Sequence, residues 1–128
     1  MLSSHKIYAL VMRILHAPIF KGARATVAIS GGDYAINLDI ATVFDVTVSA
    51  NGTLTFTCSD PTKVLQGQIN ATSSGAYNFT TLSMSGVTIY KQSGTTFTLL
   101  ASGRTTIGFT YDGPGATLDY YLVQMAAY

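Results

Sequence analysis

The sequence predicts an all-β chain, an antiparallel β-sandwich of jelly-roll type preceded by an N-terminal arm. Three observations predict it. Apolar residues alternate with period two from residue 25 onward. Turn signals separate short runs at roughly 8–12-residue spacing, the signature of sandwiches and barrels. Thr and Ser occupy the alternate positions, while only 10% of the residues are charged and Glu is absent.

The arm comes first. Ile7, Leu10, Val11, Ile14 and Leu15 follow the spacing of one helical face. Ser3 or Ser4 can cap such a helix and Pro18 ends it. Tyr8, Ala9 and Met12 leave the opposite face apolar as well, so an extended strand is the alternative. Residues 1–25 form this arm and residues 26–128 the sandwich domain. In the body, Tyr34, Ile36, Leu38 and Ile40 form one inward set after Gly31-Gly32. Phe44, Val46 and Val48 form the next, and Leu54, Phe56 and Cys58 a third. Asn51-Gly52 between them is the strongest short hairpin signal, because both turn residues of a type I′ turn take positive φ. Leu65 and Ile69 mark a strand, and Tyr77, Phe79 and Thr81 another. Val87 and Ile89, then Phe97 and Leu99, follow turns. Ile107, Phe109 and Tyr111 lead through Asp112-Gly113-Pro114-Gly115 to Leu118, Tyr120 and Leu122.

A chain of 128 residues fits one domain and buries enough surface for one core without disulfides or metal. The lone Cys58 cannot form an internal disulfide. Net charge is +1, which gives no global attraction to nucleic acid or anionic membrane. The distribution of charge is uneven. Lys6, Arg13, Lys21 and Arg24 precede residue 25 without an acid, and all six Asp residues follow it, against Lys63, Lys91 and Arg104. This segregation is a solvated basic tail or an arm that docks on an acidic surface. The arm is not read as a secretory signal, since Arg13 interrupts its apolar stretch. No apolar run approaches the ~20 residues of a transmembrane helix.

Candidate chemistry is sparse. Cys58 shares the inward face with Leu54 and Phe56, where a thiol is inert. His5 and His16 both lie in the arm with no nucleophile motif beside them. Asp33, Asp60 and Asp112 adjoin turns, where Asp caps backbone, and Asp39 and Asp45 fall on outward strand positions. No catalytic residue, cofactor or metal ligand is expected. Nucleic-acid binding needs basic residues interleaved with aromatics, and the body offers only Lys91 and Arg104 near its aromatic strands. Tyr90, Tyr121 and Tyr128 fall outside the inward sets; they cover a subunit interface or stack on sugar rings.

The run Ala41–Pro61 turns a strand of F-x-V-T-V kind through Asn51 and returns as T-L-T-F before Pro61. Thr105–Gly113 followed by Asp119–Val123 reads as a closing hairpin. In this order the two runs resemble a β module of tailed-bacteriophage virion proteins, over about residues 33–126. The chain departs from that module in its arm and in having no Trp. The resemblance implies a non-enzymatic virion component, commonly a homotrimer. A free-standing module with an arm fits capsid decoration, and a carbohydrate-binding module of a tail fibre or baseplate is the alternative. Lys6, Ile7, Leu10, Val11, Arg13, Ile14, Leu15, Lys21 and Arg24 are then the docking residues, with other virion proteins as partners and glycans as candidate ligands. Neither nucleic acid nor membrane is expected as a partner.

Overall fold

A computed structural model describes residues 23–27, 32–92 and 98–127. Among these residues there is no α-helix, and nine strands form two sheets. They are β1 (Arg24–Val27), β2 (Asp33–Asn37), β3 (Val43–Val48), β4 (Gly52–Thr57), β5 (Val64–Ser73), β6 (Phe79–Ser83), β7 (Thr88–Lys91), β8 (Gly103–Asp112) and β9 (Thr117–Ala127). One sheet has the order β1-β3-β5-β8-β9-β7 and the other β2-β4-β6. The all-β expectation holds, and so do two sheets with apolar inner faces.

The pairing differs from the expected antiparallel, jelly-roll arrangement. From β1 to β6 the chain alternates between the sheets, and each strand lies parallel to the one two elements earlier. β7 also pairs parallel with β9. Among the described strands only β5 with β8 and β8 with β9 are antiparallel. The body is therefore wound in successive coils, each contributing one strand to each sheet, and the β8–β9 hairpin is inserted between β5 and β7. The expected closing hairpin is real; the expected Asn51-Gly52 hairpin is not.

At Asn51-Gly52 the chain crosses from one sheet to the other. Neither residue takes a positive φ; among the described residues the positive-φ glycines are Gly32 and Gly86. Successive crossings are bonded to one another instead. The Asn51 side-chain oxygen accepts the Asn78 N–H at 3.0 Å, and the Gly52 N–H donates to the Asn78 carbonyl at 3.3 Å. Thr53 N–H donates to the Gly32 carbonyl at 3.0 Å. Glycine is required at position 52 for space: a Cβ would stand 2.7 Å from both the Gly32 carbonyl oxygen and the Tyr34 ring. The absent side chain lets Tyr34 and Phe79 meet across β4, edge to face at 5.3 Å.

The core lies between the sheets. Tyr34, Ile36, Leu54, Phe56 and Phe79 come from the smaller sheet, and Phe44, Val46, Ile69, Ile107, Phe109 and Leu118 from the larger. Phe109 joins them, edge-on to Phe56 at 5.7 Å and tilted against Phe44 at 6.3 Å. It stands directly over its cross-strand partner Gly67, where a Cβ would come 2.5 Å from the ring and 2.2 Å from the Thr42 carbonyl oxygen.

Three inward assignments change, and one outward one. Ile40 lies in a turn beyond the end of β2 and is exposed, its N–H bonded to the Asn37 carbonyl. Thr81 is exposed because a register shift in the β4–β6 ladder, between Gly52 and Thr53, places Leu82 inward instead. Cys58 is half-buried rather than fully inward, with its thiol 3.5 Å from the Asp60 carbonyl. Asp39 lies in the same turn as Ile40 rather than on a strand.

Candidate functional site

The outer face of the six-stranded sheet collects the polar and aromatic residues left over once the core is filled. Cross-strand register arranges them in rows. One row runs Arg24, Val43, Gln68, Gly108, Tyr121 across β1, β3, β5, β8 and β9. The adjacent row runs Gln66, Thr110, Asp119, Tyr90 across β5, β8, β9 and β7. On the other side lie Thr26, Asp45, Asn70, Thr106 and Gln124.

Tyr121 is the best-positioned aromatic of this face. Its ring reaches from β9 onto the bare backbone of Gly108, where a Cβ would stand 2.2 Å from Cε2 and 2.5 Å from Cζ. A strand glycine often marks such a close approach. The ring is half-buried, while Tyr90 is 58% exposed. The two tyrosines line one hollow of about 230 Å³ with Gln92 and Asp119. Gln92 is fixed there by accepting the Leu122 N–H at 2.8 Å. A second hollow of about 500 Å³ lies on the other side of Tyr121 and is lined by Val64, Gln66, Gln68, Gly108 and Val123. Val64 and Val123 are among the most exposed large apolar side chains described.

Arg24 is the one described member of the expected basic docking set. It lies in β1 and forks onto the Asp45 carboxylate, with Nη2 at 3.0 Å. Asn70 Nδ2 donates to the same carboxylate at 3.2 Å, and Gln68 donates to Asn70 Oδ1 at 3.2 Å. This chain of bonds ties β1 to β3 and β5. It holds the Asp45 carboxyl below the ordinary carboxylate range, first through the Arg24 hydrogen bonds. The arm's last cation is thus paired to an acid of its own body. As a largely exposed pair it contributes register more than stability.

Four of the other five carboxylates hold structural bonds. Asp33 accepts the Thr55 hydroxyl at 2.7 Å, Asp39 the Ser59 N–H at 3.0 Å, Asp60 the Thr62 N–H at 3.0 Å and Asp112 the Gly115 N–H at 3.2 Å. The turn-capping expected for Asp60 and Asp112 is what they do. Among the described residues no three His, Cys, Asp or Glu side chains gather as a metal site would require. A further hollow of about 260 Å³ beside Cys58 is lined by Phe56, Pro61, Met84 and Tyr111.

Of the expected site residues, the structure brings Tyr90 and Tyr121 together and places Arg24 on the same face. Lys6, Ile7, Leu10, Val11, Arg13, Ile14, Leu15, Lys21 and Tyr128 lie outside the described residues. Gly108, Gln66 and Asp119 were not legible as site residues, because only the β5–β8–β9–β7 register shows that they adjoin the tyrosines. No family model, no curated protein and no solved structure matches this chain.

Proposed function

We propose that this chain is a non-enzymatic structural protein of a phage virion, of the capsid-decoration type. Its two-sheet, sandwich-like body self-associates, and residues 1–22, the arm ahead of β1, bind the particle. The observation that supports self-association is the edge of the smaller sheet. β6 pairs with β4 on one side and with no strand on the other among the described residues. Its sequence, Phe79-Thr80-Thr81-Leu82-Ser83, carries none of the Lys, Pro or inward charge by which monomeric proteins blunt an edge. Thr80, Thr81 and Ser83 are exposed. An uncharged edge without a second strand partner among the described residues suits a strand that meets another chain.

Within this reading a trimer closes when the β6 edge of one copy meets a different patch of the next, the heterologous arrangement that forms rings. Few charges oppose that approach, since 10% of the residues are charged. The virion location rests on the sequence resemblance. The arm supplies attachment through the apolar set Ile7, Leu10, Val11, Ile14 and Leu15, with Lys6, Arg13 and Lys21 drawing it to acidic patches. The test is Thr81→Lys, which puts a charge on the open edge while leaving the core untouched. Light scattering should show a smaller species than the unmodified chain. An unchanged mass would remove β6 as the contact.

A further inference from the structure

We propose that the outer face of the six-stranded sheet binds a neutral oligosaccharide, with Tyr121 as its stacking platform. This goes beyond the assembly reading and does not depend on it, because the β6 edge belongs to the other sheet.

The platform is built rather than incidental. Tyr121 lies on Gly108, and any larger residue there would lift the ring. A rigid aromatic loses little entropy on binding, which favours affinity. Tyr90 stands one row away on β7, and Asp119 is its register partner on β9. The hollows on either side of Tyr121 run from β5 across β8 and β9 to β7. Four strands at about 4.8 Å spacing span about 14 Å, room for a short oligosaccharide rather than a single sugar.

The lining selects the ligand class. It offers two phenol rings, the carboxamides of Gln66, Gln68 and Gln92, and the Asp119 carboxylate. Lys91 lines the smaller hollow with Asp119, so the charges there cancel. A pyranose presents an apolar C–H face to an aromatic ring and hydroxyls to carboxamides and carboxylates. A nucleic acid would bring phosphates to hollows whose lining holds one Lys beside one Asp, without the basic groove that strand binding needs. An acidic glycan would likewise bring its carboxylate to a lining with no net positive charge to hold it.

The probe is an array of neutral and acidic oligosaccharides incubated with the full chain, followed by calorimetric titration of the neutral members retained. Neutral oligosaccharides should bind, longer ones better than the corresponding single sugar. Tyr90→Ala, at a position 58% exposed and outside the core, should weaken binding about tenfold, the worth of one aromatic contact. Tyr121→Ala should abolish it. Thr81→Lys should leave it unchanged, which separates sugar binding from assembly. An array without neutral hits, retention of acidic members alone, or wild-type affinity in both tyrosine variants would overturn the proposal.

Discussion

Phe109→Ala is the perturbation that tests the packing most severely. Phe109 is fully buried, contacts Phe56 of the opposite sheet edge-on and leans against Phe44. Truncating a buried Phe to Ala costs about 3–5 kcal/mol, the larger values where the cavity cannot collapse. Here one wall of the cavity is the bare backbone of Gly67, which has no side chain to move in. The edge-on pair with Phe56 contributes beyond its buried area, by about 0.5–1.5 kcal/mol. The upper part of the range, about 4–5 kcal/mol, is therefore expected. Domain stabilities are about 5–15 kcal/mol, so the variant should keep its fold narrowly. Urea unfolding followed by far-ultraviolet circular dichroism measures the loss. It should be done at one protomer concentration, since association shifts apparent stability. A loss below about 1.5 kcal/mol with an unchanged denaturant slope would refute the reasoning. It would mean that Phe109 does not join the two sheets as described.

Three further outcomes are expected. Asn51→Gly should lower stability by about 1 kcal/mol, because it removes the acceptor of the Asn78 N–H; in a type I′ hairpin the same change would be neutral, so a denaturation midpoint discriminates the two. Asp39, Asp45 and Asp60 all titrate below the ordinary carboxylate value, Asp45 through Arg24, Asp39 through the Ser59 N–H and Asp60 through Thr62. Their folded values lie below the unfolded ones, so the stability they contribute is present above about pH 4 and lost as pH falls through the folded values; Tm should decline in that window, and Asp45→Asn should flatten the decline. In the arm, Leu10→Asp should release the protein from particles more than Lys6→Ala, since burying an apolar face is worth about 25 cal/mol per Å² and an exposed ion pair about 0–1 kcal/mol. Equal, mild effects in a particle-binding assay would argue against apolar anchoring.

Most of the inward faces were legible from alternation alone. Tyr34 and Ile36, the set Phe44, Val46 and Val48, Leu54 and Phe56, and the set Ile107, Phe109 and Tyr111 are buried as their spacing requires. What alternation does not carry is the partner. Parallel sheets covered on both faces read as continuous apolar runs, but here one face of each parallel strand is left to polar residues, so β3 and β4 look like arms of a hairpin. The Asn51-Gly52 signal was misleading because its residues serve a crossing, Asn51 as a hydrogen-bond acceptor and Gly52 as space for Tyr34. Thr81 shows a second limit: one register shift changes the phase of everything after it. The candidate site was legible only as two tyrosines left outside the core sets. Gly108 under Tyr121 and Asp119 beside Tyr90 are cross-strand neighbours, and no short-range pattern in the sequence records them.

The central claim is that the body assembles with copies of itself. The most direct measurement is the solution mass, by light scattering, of the full chain and of a chain starting at Ala23, which keeps β1 and the Arg24–Asp45 pair intact. The account predicts three times the single-chain mass for both, with residues 1–22 left to bind the particle. A single-chain mass for the full-length protein across the accessible concentration range would contradict it.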